Sequence, residues 1–281
     1  MVDARSPKTH LADLGLRPKR HFGQNFLADR SLAERIALLA APTGGTVVEL
    51  GAGLGALTLP LLERASHVIA IERDRDLVPV LRTELADSIS QGRLSLLEAD
   101  AKSIDLEALF AGRPRPHVLA GNLPYQITGP LLMMAMKGAA SLDQVVFLVQ
   151  LEVAQRLVAL PGSADYGALS VFAQAAFVVT RELVIRRGAF YPQPGVDSAV
   201  VRLTPRTDPV AETEAFTALV HAAFRQRRKQ LSNAWHGVLG LEGETLARAA
   251  ERAAVDLSLR GERLGVADFE RMVRAAAELG A

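Results

Sequence analysis

Short, almost continuously apolar runs separated by stretches of helical spacing constrain this chain more than any other feature. They fall at 46–50, 67–72, 94–98, 117–120 and 144–150. A strand without polar alternation buries both faces, which requires helices on both sides of its sheet. The patterns at 56–64, 75–86, 105–110 and 128–137 supply such helices, so the expected fold class is α/β with a mostly parallel sheet. Further helices are expected at 151–159 and 166–176. The runs at 177–186 and 198–204 are rich in β-branched residues, with no convincing helix between them, and read as an antiparallel pair at one edge. Ser31-Leu32-Ala33-Glu34 has the spacing of a capping box opening a helix to about residue 40. Asp74 and Asp76 are expected to open another, where negative charge is favoured.

Beyond Pro205 the composition changes, and only helical patterns remain, near 212–224, 226–238, 243–253 and 266–278. The expected organisation is a catalytic domain over 1–204 and a small all-helical domain over 205–281. With 281 residues, 49% of them hydrophobic, the chain can bury a full core for that arrangement. It contains no cysteine, which excludes disulfides and thiolate metal sites and makes a cytoplasmic protein the simplest expectation. Histidines are scattered singly, so no metal is expected. No apolar run reaches the ~20 residues of a membrane span, and no signal-peptide core precedes His10. Nothing demands an oligomer, and a monomer is the default.

Val47-Val48-Glu49-Leu50-Gly51-Ala52-Gly53-Leu54-Gly55-Ala56-Leu57 reads as a strand entering a glycine-rich turn and then a helix. Such a turn lets backbone approach a nucleotide-like cofactor closely. Two readings compete. Gly51-x-Gly53-x-x-Ala56 fits a dinucleotide fingerprint, and Glu72, about twenty residues on, suits a ribose hydroxyl in either case. Glu49 before the first glycine instead gives the Glu-x-Gly-x-Gly arrangement of enzymes that use S-adenosylmethionine. Asp100 closes the third strand, well placed for an adenine amine.

Asn122-Leu123-Pro124-Tyr125 tilts the choice toward the methyl donor. An exocyclic base amine is a poor nucleophile, because its lone pair is delocalised into the ring. The Asn122 side-chain oxygen and a neighbouring main-chain carbonyl can accept its two hydrogens. Pro124 stiffens the loop, and Tyr125 offers a flat face worth about 1–3 kcal/mol of base stacking. Hydride transfer has no use for such a tetrad. The net charge of +1 does not advertise a nucleic-acid binder, yet basic residues cluster at Arg17, Lys19 and Arg20, at Arg186-Arg187, and at Arg225, Arg227, Arg228 and Lys229. These are candidate phosphate contacts, which set position and affinity rather than sequence choice. On the residues alone a solvated helix face is the default reading of 225–229, and Trp235 reads as packing.

Lys19-Arg20-His21-Phe22-Gly23-Gln24-Asn25-Phe26-Leu27, the Gly51 loop, Glu72, Asp100 and Gly121–Tyr125 follow the order seen in ribosomal RNA adenine dimethyltransferases. Phe190-Tyr191-Pro192-Gln193-Pro194-Gly195-Val196-Asp197-Ser198 and Ala223-Phe224-Arg225-Gln226-Arg227-Arg228-Lys229 continue the resemblance, which runs from about residue 8 to the end. The chain resembles the bacterial small-subunit branch; large-subunit enzymes share the cofactor motifs and tetrad but not the Phe-Gly-Gln-Asn-Phe and Gln-Arg-Arg-Lys stretches.

The resemblance implies a Rossmann-like S-adenosylmethionine-dependent methyltransferase sheet with an antiparallel edge and a helical C-terminal domain that binds RNA or the ribosome. It implies that Asn25, Leu27, Gly51 and Gly53 line the cofactor, with Glu72 on the ribose, Asp100 on the adenine and Asn122 near the methyl. Phe190 would face Tyr125 across a flipped base, with Leu123 and Pro124 completing the catalytic loop. The implied partner is 16S rRNA, in the small subunit or its precursor, dimethylated on two adjacent adenosines of the 3′-terminal hairpin. A role in late small-subunit biogenesis is implied too. Gln126 and Leu151 depart from the family pattern, where asparagine and lysine are expected.

Overall fold

The structure, a computed structural model, describes residues 6–280 apart from Arg227. In chain order the first elements are α1 (Pro7–Asp13), β1 (Phe26–Leu27), α2 (Arg30–Ala40), β2 (Thr46–Leu50), α3 (Thr58–Leu62) and β3 (His67–Glu72). Then follow α4 (Leu77–Glu84), α5 (Ala86–Ser90), β4 (Leu94–Glu98), α6 (Leu106–Phe110), β5 (His117–Asn122), α7 (Thr128–Lys137) and β6 (Gln144–Gln150). The remainder is α8 (Leu151–Val158), α9 (Ala168–Ala176), β7 (Phe177–Ile185), β8 (Phe190–Tyr191), β9 (Ser198–Pro205), α10 (Glu214–Arg225), α11 (Leu231–Ala234), α12 (Gly243–Ala253) and α13 (Val266–Glu278).

Seven strands form one sheet in the order β4-β3-β2-β5-β6-β9-β7. The pairs β4–β3, β3–β2, β2–β5 and β5–β6 are parallel, and β9 runs antiparallel to β6. Every residue of β2 and β3 is buried, as their unbroken apolar character requires. β7 and β9 are neighbours at one edge, as expected. The chain works outward from β2 to β4 and then returns to the other side of β2 as β5. The carboxyl ends of β2 and β5 therefore flank a topological switch point, where open α/β sheets bind ligands.

Two compact units divide the chain: Met1–Ala154 with Thr180–Pro205, and Gln155–Val179 with Arg206–Ala281. One break falls after Pro205, and Gln155–Val179 belongs to the second unit. Its side-chain bonds show why. The Tyr166 hydroxyl donates to the Leu264 carbonyl at 2.9 Å, and the rings of Tyr166 and Phe172 meet those of Phe224 and Phe216 edge-on, at 5.9 and 6.1 Å between centres. In this helical unit Trp235 is fully buried, donates its indole N–H to the Leu219 carbonyl at 2.9 Å and meets Phe269 edge-on.

Local expectations fail where a side chain or a glycine redirects the backbone. Asp29, not Ser31, caps α2: its carboxylate accepts from the Leu32 N–H, and Ser31 merely donates to that carboxylate. The helix expected over 226–238 shrinks to α11: Gln226 and Gln230 leave helical backbone before it (ψ 79° and 157°), and Gly237 takes a positive φ of 78° after it. No helix among the described residues is long and apolar enough to cross a membrane.

Candidate active site

The glycine-rich turn after β2 bends through left-handed residues, with φ of 78° at Gly51, 60° at Gly53 and 79° at Gly55. Three of its N–H groups are already engaged by β3. Gly51 and Ala52 donate to the Ile71 carbonyl at 2.8 and 3.1 Å, and Gly53 donates to Glu72 Oε2 at 2.7 Å. A dinucleotide fingerprint works by turning such donors onto a pyrophosphate. Here they are folded back onto β3, so the turn shapes a wall rather than an anion cradle. That weighs against a dinucleotide.

Glu72 ends β3 and is 7% exposed. Its other oxygen accepts the Asp74 N–H at 2.7 Å. Burial pushes this carboxyl up, partly offset by the N–H groups of Asp74, Gly53 and Arg73. Each oxygen keeps a lone pair for a ligand hydroxyl. Beneath the turn, Glu49 is fully buried and receives the Thr58 hydroxyl at 2.6 Å. Burial, reinforced by the neighbouring Glu72 and opposed by Thr58, raises its pKa from 4.5 to about 7.

The tetrad begins at the last residue of β5. Pairing of Glu49 with Ala120 brings Asn122 level with Gly51 on the adjacent strand end. The approach is close enough that a Cβ on Gly121 would lie 2.6 Å from the Leu50 carbonyl oxygen. Asn122 Nδ2 donates to the Asn25 carbonyl at 2.8 Å. A carbonyl can only accept, so this bond fixes the amide and leaves Oδ1 as the acceptor. The Pro124 carbonyl is occupied by the Ile127 N–H at 3.0 Å and the Thr128 hydroxyl at 3.1 Å. The Leu123 carbonyl is therefore the candidate second acceptor, while the Leu123 side chain is buried in the core. Tyr125 is half-buried, and its hydroxyl meets Ser198 Oγ at 2.8 Å.

One cavity unites these parts. It is lined by residues 21–27, 49–54, 71–73, 99–101 and 122–127, which include Asn25, Leu27, Gly51, Gly53, Glu72, Asp100 and Asn122 as well as Leu123, Pro124 and Tyr125. Asp100 is at the wall but already partnered: its carboxylate accepts the Lys102 N–H at 3.0 Å and pairs with Arg73 at 3.2 Å. No three His, Cys, Asp or Glu side chains gather as metal ligands among the described residues.

Two expected site residues lie elsewhere. Phe190 does not line the cavity. In the β1–β8 ladder it pairs with Leu27, and both side chains enter the main core, leaving Phe190 4% exposed. The alternate pair, Phe26 and Tyr191, turns to a separate cluster with Leu11, Leu54 and Leu77. Lys19 does not face solvent as a free cation: its ammonium sits 2.5 Å from Asp74 and 2.7 Å from Asp76. Arg17, Arg20, Arg225, Arg228 and Lys229 are exposed. Arg227 falls outside the described residues. Sequence reading missed Gln24, Arg73 and Asp74, whose partners lie far away in the chain. Arg73 lines the cavity and stands 5.3 Å from the Phe22 ring centre.

Residues 15–275 match the family described as Ribosomal RNA adenine dimethylase. The chain is 44% identical over 280 residues to a Ribosomal RNA small subunit methyltransferase A from Anaeromyxobacter sp. (strain K), covering 96% of this chain and 97% of that protein. Among solved structures, a dimethyladenosine transferase from Plasmodium falciparum superposes with a TM-score of 0.75 at 23% identity, covering 88% of this chain and 96% of the other. The 23S rRNA methyltransferase ErmE superposes with a TM-score of 0.66 at 26% identity, over 90% of this chain and all of its own (100%). A tetrad suited to amine methylation beside a turn unsuited to pyrophosphate thus coincides with a match over nearly the whole length, and the chain belongs to the ribosomal RNA adenine dimethylase family.

Proposed function

We propose that this protein transfers methyl groups from S-adenosylmethionine to the exocyclic amines of two adjacent adenosines in the 3′-terminal hairpin of 16S rRNA, in the small subunit or a late precursor of it. The observation that carries this reading is the Asn122 amide, held by Asn25 so that an acceptor faces the cavity. The residues present fit the cofactor. Asn25, Leu27, Gly51 and Gly53 would form the wall around its methionine end, Glu72 would take ribose hydroxyls, and Asp100 would share its carboxylate between Arg73 and an adenine amine. When bound, S-adenosylmethionine supplies an electrophilic methyl on a positively charged sulfur. Glu49 and Glu72 place two buried carboxyls at the cavity, whose ionised forms a cationic ligand would favour.

Asn122 Oδ1 and the Leu123 carbonyl accept the two amine hydrogens and turn the nitrogen lone pair outward. Tyr125 provides a stacking face, which requires the target adenosine to leave its helix. Catalysis then comes from orientation and from hydrogen bonds that strengthen as the amine pyramidalises. The product ammonium is acidic enough to lose its proton to water, so no strong base is needed. Arg17, Arg20, Arg225, Arg228 and Lys229 are the candidate phosphate contacts.

Large-subunit RNA is the second reading, favoured by the likeness to the 23S rRNA methyltransferase. The higher identity to a small-subunit methyltransferase weighs against it. The test is transfer of labelled methyl groups to ribosomal subunits lacking adenine dimethylation, followed by nucleoside identification. Dimethyladenosine in small-subunit RNA is the expected result, and label in large-subunit RNA would overturn the choice. Asn122→Ala should slow single-turnover transfer far more than it weakens cofactor binding by calorimetry; equal damage to both would remove Asn122 from its catalytic role.

A further inference from the structure

We propose that Asp74 is a positioning residue: its buried carboxylate clamps segment 19–25 against the cofactor cavity and, through Asn25, supports the orientation of Asn122. The inference rests on the functional reading above and deepens it, because nothing in the tetrad or the glycine turn by itself explains what holds Asn25 in place.

Asp74 is 2% exposed. Its Oδ1 receives the Lys19 ammonium at 2.5 Å and the Asp76 N–H at 3.0 Å, and its Oδ2 receives the Gln24 amide at 2.6 Å. Gln24 Oε1 in turn accepts the Lys19 N–H at 2.7 Å. One carboxylate thereby ties together both ends of the short turn Arg20–Phe22. The residue after Gln24 is Asn25, whose carbonyl receives Asn122 Nδ2. On the other side, the Asp74 N–H donates to Glu72, which holds the N–H of Gly53. Hydrogen bonds therefore run from the glycine turn through Glu72 and Asp74 to Gln24, and its peptide neighbour Asn25 carries the link on to the tetrad.

Segment 19–25 has little else to hold it. It contains a three-residue 3₁₀ turn, with the two-residue strand β1 following, so its placement depends on side-chain bonds rather than on a ladder or a long helix. An exposed ion pair contributes almost nothing, but this one is different. Burial alone would raise the Asp74 carboxyl, yet Lys19, the Asp76 N–H and Gln24 hold it below the usual carboxylate range. Removing a partner from a buried charge is damaging in a way that removing a surface charge is not.

Asp74→Asn tests the clamp. The substitution keeps size and one acceptor, but places an NH₂ group against the donating amide of Gln24. Adding Gln24→Glu restores one carboxylate and one amide across the same contact, with an acceptor still facing the Lys19 N–H. Three readouts are made on the full chain: amide hydrogen exchange of residues 19–27 without cofactor, S-adenosylmethionine affinity by calorimetry, and single-turnover methyl transfer to small subunits at saturating cofactor. Asp74→Asn should speed exchange in that segment and weaken cofactor binding about ten- to a hundredfold, the range for a lost charged hydrogen bond. Transfer at saturation should fall about tenfold, because Asn122 loses alignment. The double variant should recover all three.

Wild-type values for Asp74→Asn would overturn the clamp. So would failure of the folded double variant to recover, or exchange that rises throughout the sheet rather than in the segment. Wild-type protein that neither binds S-adenosylmethionine nor methylates small-subunit RNA would instead overturn the functional reading, while exchange in the cofactor-free protein would still decide the clamp.

Discussion

Glu49→Gln should stabilise the cofactor-free protein at high pH and leave it nearly unchanged at low pH. Glu49 is fully buried, and burial raises its pKa from 4.5 to about 7, with Thr58 opposing the shift and Glu72 adding to it. At about 1.36 kcal/mol per pH unit, that rise corresponds to roughly 3 kcal/mol. The sign follows from the direction. A carboxyl whose folded pKa lies above its unfolded value favours the folded state while protonated. That advantage is complete below the unfolded pKa of 4.5 and is lost as pH rises through about 7. Glutamine carries no proton to lose and keeps an oxygen that can accept the Thr58 hydroxyl, so the variant should escape the loss. Denaturant unfolding of both proteins at pH 4.5, 6 and 8 reads the effect as a difference, in which the titration of other carboxyls largely cancels. The variant's relative stability should grow by about 3 kcal/mol across that range. A difference that stays flat would mean that Glu49 is not buried as an unpaired carboxyl, and would refute the reasoning.

Gly121→Ala places a Cβ 2.6 Å from the Leu50 carbonyl oxygen, which is backbone and cannot yield, so denaturation should show a loss of about 1–3 kcal/mol. Tyr125→Phe and Ser198→Ala each remove the same 2.8 Å hydrogen bond, at about 1 kcal/mol apiece. Because they share that bond, the double variant should cost less than the sum in the same assay, and simple additivity would show that the contact contributes nothing. Arg228→Ala and Lys229→Ala should each weaken small-subunit binding and lower the salt slope by about 1. Lys19→Ala should leave that slope unchanged, since Asp74 and Asp76 already neutralise its ammonium.

The parallel sheet was legible because burial on both faces writes itself into consecutive residues, as in Val47-Val48 or Val145–Val149. The cavity was legible for a related reason: a parallel sheet sends its carboxyl ends to one side, so motifs closing β2, β3, β4 and β5 had to meet. What escaped depended on distant partners or on phase. Phe190 sits in a strand of two residues, too short to show which side chain turns inward. Lys19 looked like a free cation because Asp74 lies 55 residues further on. Asp74 itself read as a helix-opening residue; it does receive the Asp76 N–H, while α4 begins only at Leu77. The make-up of the helical unit was harder to read. Pro205 marks a change of composition, whereas Gln155–Val179 joins that unit through side chains such as Tyr166 and Phe172, which carry no such mark.

The strand order explains why two motifs so far apart in sequence form one site. β2 passes its chain toward β3, whereas β5 passes its chain toward β6, so the loops leaving β2 and β5 diverge and a crevice opens between them. On the proposed function, the β2 side contributes the Gly51 turn backed by Glu72 as a surface for a sugar and a small cationic chain. The β5 side would contribute Asn122 and Tyr125 as a surface for an amine and its ring. Glycine at position 121 lets the two strand ends come within contact of each other, since a Cβ there would meet the Leu50 carbonyl oxygen. With reactants held from opposite sides, direct transfer needs no protein nucleophile, and the chain has no cysteine to offer one. The residue that matters most is then the one that aims the amine. In this fold its aim depends on a main-chain carbonyl, that of Asn25, contributed by the segment that Asp74 secures.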